Sequence, residues 1–170
     1  METLAIFNNE NISDEELKNF RTRRAVRGVV FDVNKNVALL HMVDQNCYGL
    51  PGGGVETSES FEEGIIRECK EEIGCDVKII STLGKILEYR KKHNLINESH
   101  GYCVQVVGDK GAPILSGDEN EYEKNSVIVW VPISKAIEVM KNVSIQDNLY
   151  IQYCVQRDLI FLKKANEMIY

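Results

Sequence analysis

Long apolar runs are missing from this chain of 170 residues. The longest spans a few positions, as at Val37-Ala38-Leu39-Leu40, far short of the roughly 18 that a membrane-spanning helix needs. Cysteine is sparse and odd in number at five, with no Cys-x-x-Cys pair, and the three histidines have no cysteine or histidine partners at zinc spacing. Both features argue against a zinc site and against a secreted disulfide framework. The first residues lack the basic segment and long apolar stretch of a signal peptide. Proline numbers three, no Gly/Ser-rich or Pro-rich linker divides the chain, and no repeat is visible. Excess positive charge is absent too: Lys plus Arg is 20 against 26 for Asp plus Glu, a net charge of −6. An acidic surface repels a nucleic-acid backbone, so long nucleic acid is a poor partner. With 44% hydrophobic and 27% charged residues the composition is that of an ordinary globular protein. The expectation is a single cytoplasmic domain over 1–170, with residues 1–22 as an N-terminal extension and 148–170 as a C-terminal helix; a homodimer is compatible with it.

What is present reads as mixed α and β. Ser13 ahead of Asp14-Glu15-Glu16 has the spacing of a capping box opening a short helix. Ala25 to Val33 and Val37 to Val43, joined by Asn34-Lys35-Asn36, read as a hairpin. From Ser58 the period turns helical, with Phe61, Ile65, Ile66, Cys69 and Ile73 on the apolar face and Gly74 at the position of a left-handed C-cap. Val77 to Tyr89, Gly101 to Val107 and Val127 to Val131 read as strands, Asp118 to Asn125 as an acidic loop, and Pro132 to Met140 as a helix opening. Without regular βαβ alternation, this predicts an α+β fold with a curved mixed sheet between helices.

Gly52-Gly53-Gly54 and Gly53 to Cys75 carry the chemistry. Glu68, Glu71 and Glu72 stand at i, i+3 and i+4, so a helix presents all three carboxylates on one side. Their repulsion has to be offset, either by Arg67 and Lys70 on a solvated face or by a hard cation such as Mg²⁺, which prefers carboxylate oxygens. Three successive glycines just upstream mark backbone that turns tightly or approaches a ligand closely.

Gly53, Glu59, Arg67-Glu68, Cys69, Lys70, Glu71-Glu72, Ile73, Gly74 and Cys75 match, in spacing, the signature box of the Nudix hydrolases. Every polar and glycine position agrees, while Cys69 and Cys75 stand where that family has Ile, Leu or Val. The resemblance runs over about residues 24–141, taking in the strand pair before Leu50-Pro51-Gly52-Gly53-Gly54 and a late Trp130-Val131-Pro132 segment. It implies the family's α/β/α sandwich and divalent-metal-dependent hydrolysis of a diphosphate linkage in a nucleoside diphosphate derivative. By resemblance Glu68 and Glu72 are primary ligands of Mg²⁺ (or Mn²⁺), Glu71 is a further ligand or a base, and Glu59 is an outer carboxylate. Arg67 then holds a glutamate, Gly52, Gly53 and Gly54 let backbone approach the phosphates, and the acidic loop supplies a distal acid, Glu121 ahead of Glu119, with Glu98 a weaker candidate.

Arg21, Arg23, Arg24 and Arg27 cluster on the first long strand, where one of them, Arg27 in particular, could reach a substrate phosphate. The small phosphorylated substrate is not specified further. A proline marking ADP-ribose-type members falls on Arg90 here, a tyrosine marking dinucleoside-polyphosphate types falls near Lys91 to His93, and no coenzyme A-type motif precedes Leu50. Two readings of another class stay open: a catalytically silent nucleotide-sensing module, and the isomerase branch acting on isoprenoid diphosphates.

Overall fold

The structure, a computed structural model, describes residues 1–114, 125–143 and 148–169. Its strands are β1 (Thr3–Phe7), β2 (Arg21–Phe31), β3 (Asn36–Met42), β4 (Cys47–Gly49), β5 (Asp76–Arg90), β6 (Leu95–Val107) and β7 (Ser126–Pro132). Its helices are α1 (Asp14–Leu17), α2 (Phe61–Ile73), α3 (Ile133–Lys141) and α4 (Leu149–Ile169). The seven strands form one mixed sheet in the order β1-β5-β6-β2-β3-β4, with β7 added along β3. Helix α2 covers one face through Ile65, Cys69 and Ile73 against Val26, Val30, Tyr102 and Val104. Helices α3 and α4 cover the other, placing Met140, Phe161, Leu162 and Ala165 on Val29, Phe31, Leu39 and Ile86. The α+β architecture with helices on both sheet faces is as the sequence predicts. Cys69 and Cys75 are fully buried in the α2-side core, where a thiol packs as a small hydrophobe. Ile66 departs from the helical reading: it is 43% exposed.

The two strands expected as a hairpin exist, but they pair only at Phe31 and Val37 beside their turn. Asp32 closes that turn by accepting the Asn34 and Asn36 amides, both at 2.9 Å. Beyond it β2 and β3 diverge. β3 runs antiparallel to β7 along its whole length, and β2 runs parallel to β6 from Arg21 to Phe31. The other edge of β2 is taken by the glycine-rich segment: Gly28 N donates to Pro51 O at 2.8 Å, Val26 N to Gly53 O at 2.9 Å and Val55 N to Arg24 O at 3.0 Å. Backbone groups of a central strand must be satisfied, and here a loop does it instead of a strand. That split in the sheet creates the site.

Three elements escape the sequence pattern, one of them β4, a three-residue strand that leads straight into the glycine loop. β1 is a short edge strand, parallel to β5 at Ala5 to Phe7, within a segment too polar to stand out. β6 begins at Leu95 rather than Gly101, because its polar residues bond across to β5, Asn97 to Glu88 and Glu98 to Lys85, and along their own strand, Asn97 to Ser99 and Glu98 to His100.

Candidate active site

Helix α2 opens with a capping box, Ser60 Oγ accepting Glu63 N at 3.1 Å and Glu63 Oε2 accepting Ser60 N at 2.8 Å. It ends at Gly74 with φ 65°, a left-handed cap. Between these caps the helical period brings the acids together, and Arg67 offsets their repulsion. Its Nε donates to Glu59 Oε1 at 2.8 Å, and its Nη1 donates to Glu68 Oε1 and Glu71 Oε2, both at 2.9 Å. Its Nη2 reaches Glu59 Oε2 at 3.0 Å and Gly54 O at 2.8 Å. One planar fork thus ties three carboxylates and the glycine loop into a single unit, which a lysine could not do. Lys70 plays no part, pairing instead with both oxygens of Asp76 at 2.9 Å.

The acids of this unit differ electrically. Hydrogen bonds from Arg67 hold the Glu59 carboxyl below its ordinary range. Burial raises that of Glu68 in spite of Arg67, and Glu68 is only 8% exposed. A desolvated carboxylate of this kind gains most from a nearby cation.

Glu72 extends to the glycine loop, where its Oε2 accepts Gly52 N at 2.6 Å. Gly52 has φ 137°, and a Cβ there would lie 2.2 Å from Val26 O. Only glycine lets this backbone lie against β2. A Cβ on Gly53 would sit 2.5 Å from Glu68 Oε1, so the loop and the Glu68 carboxylate are in direct contact.

Behind Gly52 a narrow chamber lies between β4 and α4. Glu72, Arg27 and Arg157 supply charge to its wall, and Leu40, Met42 and Ile151 supply apolar surface. Arg27 is 8% exposed and faces this side of the sheet, donating from Nη1 to Val26 O at 2.7 Å with Nε 3.9 Å from Asp158 Oδ1. Asp158 in turn accepts Leu50 N at 2.9 Å, pinning the start of the glycine loop to α4.

A buried polar network lines the same face. Glu88, wholly buried, accepts from Arg90, from Arg157 Nη1 at 3.2 Å and from Asn97 Nδ2 at 3.2 Å. Arg23 Nη1 donates to Asn97 Oδ1 at 3.0 Å. None of Glu88, Asn97, Arg157 or Asp158 is marked by the sequence, for α4 lies far along the chain from the strands that carry Glu88 and Asn97. The run of basic residues from Arg21 to Arg27 is the one visible hint. Strand alternation splits that run. Arg23 and Arg27 face α4, while Arg24 lies over the Phe61 ring at 4.3 Å on the α2 side.

The structure therefore brings Glu59, Arg67, Glu68, Glu71, Glu72 and Gly52 to Gly54 together and sets Arg27 on the opposite side of the loop. Glu98 is engaged by Lys85 at 3.0 Å and His100 at 2.9 Å. Glu119 and Glu121 lie outside the described residues. Among the described residues no three Asp, Glu, His or Cys side chains already stand together as a cation site; Arg67 occupies the position between Glu59, Glu68 and Glu71. The donor chemistry fits a hard divalent ion all the same: every candidate ligand is a carboxylate, and Glu68 is buried with an elevated proton affinity. No helix among the described residues is long and apolar enough to cross a membrane.

Comparison with known proteins places the chain in a family and supports its fold. The NUDIX domain model matches residues 21–153, and the chain belongs to that family. It is 27% identical over 113 residues to the RNA pyrophosphohydrolase of Teredinibacter turnerae, covering 58% of this chain and 66% of that protein. It is 37% identical over 79 residues to the ADP-ribose pyrophosphatase of Methanocaldococcus jannaschii, covering 43% of this chain and 47% of the relative. The matches thus span two thirds or less of these curated relatives. Among solved structures, the MutT protein of Methanosarcina mazei Go1 superposes with a TM-score of 0.57 at 18% identity, over 88% of this chain and 96% of that one, which supports the fold.

Proposed function

We propose that this chain hydrolyses a diphosphate linkage in a small nucleoside diphosphate derivative, using Mg²⁺ or Mn²⁺ held by Glu68, Glu71, Glu72 and Glu59. The observation that carries the reading is the Arg67 fork on Glu59, Glu68 and Glu71, set against a glycine loop that Glu72 grips at Gly52. A divalent ion bound at these carboxylates would screen the diphosphate charge and acidify a water molecule. The chain's own residues do the rest. Arg67 fixes the carboxylates in one geometry. Gly52 to Gly54 bring backbone flush with the substrate. Arg27 supplies positive charge from the far side, where it lines the chamber between β4 and α4 together with Glu72 and Arg157. Glu121, with Glu119 as the alternative, receives the proton of the attacking water. Two relatives carry pyrophosphohydrolase or pyrophosphatase in their names, which supports the reaction class. The five free cysteines fit a reducing, cytoplasmic setting.

The test is a metal-supplemented phosphate-release screen over nucleoside triphosphates, nucleotide sugars, dinucleotides and 5′-triphosphorylated RNA. Turnover of small nucleotides supports the reading. Binding without turnover would move the chain to the sensing class, and isomerisation of an isoprenoid diphosphate to the isomerase branch. A higher kcat/KM on RNA, lost steeply as salt rises, would overturn the small-molecule assignment. On the substrate found, Glu121→Gln is expected to lower kcat strongly and Glu119→Gln weakly; the reverse ranking moves the base to Glu119.

A further inference from the structure

On the α4 side of the glycine loop, Arg23, Arg27, Arg90 and Arg157 face two carboxylates, Glu88 and Asp158. Three of these arginines have a counter-charge: Arg90 and Arg157 share Glu88, Arg157 also bonds Asp158 at 2.6 Å, and Arg27 stands 3.9 Å from Asp158. Arg23 is the exception. Among the described residues its hydrogen-bond partner is the neutral Asn97 Oδ1 at 3.0 Å, and no carboxylate lies within ion-pair distance. Burial, and then the fields of Arg27, Arg90 and Arg157, push its proton affinity down. Arg23 is half-buried; a guanidinium partly withdrawn from water without a counter-charge is still costly to hold, and an anion arriving from the solvent side lowers that cost.

The position says which anion. The space beside Gly54 places Arg23 Nη2 3.3 Å from where a Cβ would be, while Gly54 O accepts Arg67 Nη2 at 2.8 Å from the other side. A single glycine therefore separates Arg23 from the carboxylate unit. Asn97, held by Glu88 and by Ser99 at 3.0 Å, keeps the guanidinium in place and acts as a positioning residue.

We propose that Arg23 is a phosphate-binding residue, its guanidinium taking a phosphoryl oxygen of the substrate on the α4 side of Gly54 while the carboxylates serve the α2 side. That the anion belongs to a substrate rests on the hydrolase reading; the anion site itself does not.

The experiment is calorimetric titration of the full chain in metal-free, EDTA-containing, low-salt buffer. The probes are methylenediphosphonate, whose bridging carbon resists hydrolysis, and orthophosphate. Wild type is expected to bind the diphosphonate about tenfold or more tightly than Arg23→Gln does, the loss due to one charge-assisted hydrogen-bonding group. The exposed control Arg21→Gln is expected to stay within about twofold of wild type. Without anion, Arg23→Gln should melt no lower than wild type, since it relieves repulsion and keeps an amide donor for Asn97. Unchanged affinity in Arg23→Gln would overturn the proposal, as would a lower melting point without anion, which would make Arg23 structural. Orthophosphate binding as tightly as the diphosphonate would overturn the substrate assignment in favour of a free-anion site. Anion binding that depends on Arg23, in a protein that turns over no diphosphate, would refute the hydrolase reading and leave the anion site standing.

Discussion

The two sides of the glycine loop carry opposite charge imbalances. On the α2 side Glu59, Glu68 and Glu71 share the single guanidinium of Arg67, while Glu72, gripping Gly52, borders both this unit and the chamber on the α4 side. On the α4 side Arg27, Arg90 and Arg157 share Glu88 and Asp158, and Arg23 beside them has only the neutral Asn97. A purely structural polar cluster closes its own account, as at the β2–β3 turn, where Asp32 is matched by Lys110 at 2.7 Å and by two backbone amides. Neither side of the loop is closed in that way. The contrast is what the proposed function calls for: on that reading the negative side receives a cation and the positive side an anion across three glycines, as a metal-assisted attack on a diphosphate needs.

The sharpest way to break this comparison is to remove the acid at the centre of the positive side. Glu88→Gln leaves Arg90 and Arg157 without their shared counter-charge in a fully buried setting. Breaking such a pair is expected to cost about 3–5 kcal/mol of stability, read by urea denaturation. A loss below about 1 kcal/mol would mean that the positive excess needs no balancing, and the contrast between the two sides would lose its meaning.

On the negative side, Glu72→Gln keeps an oxygen for the Gly52 amide but loses the charge that holds a hard cation. The fold should survive, and the barrier should rise by about 3–4 kcal/mol, two to three orders of magnitude in kcat. A folded variant with wild-type kcat at saturating Mg²⁺ would take Glu72 out of the machinery.

The smallest effect is one of pH. Burial alone would raise the Glu88 carboxyl, but Arg157 and Arg90 outweigh it and hold it below its ordinary value. A carboxyl depressed on folding stabilises fully above its unfolded pKa of about 4.3, and that stabilisation is lost as pH falls through the folded value. Acid denaturation of wild type should therefore steepen below about pH 4, with a flatter acid limb in Glu88→Gln. Equal slopes for the two proteins would show that Glu88 is not ionised in the native state.

Much of the negative side is legible in the chain itself. Phe61, Ile65, Cys69 and Ile73 repeat at helical spacing, Gly74 ends the run, and an i, i+3, i+4 set of glutamates must then share a side of the helix. The capping box of Ser60 and Glu63 that opens this helix came only with the structure. Arg67 reaches Glu68 and Glu71 within that same helix, so local geometry decides most of the unit. The positive side is hidden for the opposite reason. Glu88 and Arg157 are 69 residues apart in sequence, and Arg23 and Asn97 are 74 apart. Glu88, Asn97 and Arg157 each read alone as an ordinary polar residue of a strand or helix, and the basic run from Arg21 to Arg27 does not say which arginine joins them. The hairpin reading of β2 and β3 goes astray on the same ground. Local pattern says that two strands adjoin a turn, but not that the glycine loop takes the edge of β2 first.

By itself, then, the sequence determined the family box, the carboxylate-bearing helix and the α+β class, because these follow from helical and strand periods acting over a few residues. Only the tertiary structure decided that β2 and β3 part, that a loop rather than a strand lies against β2, and that Arg23, Glu88, Asn97 and Arg157 meet behind Gly54. Those outcomes depend on which distant backbone and side-chain groups satisfy one another once buried, and no local period encodes that choice.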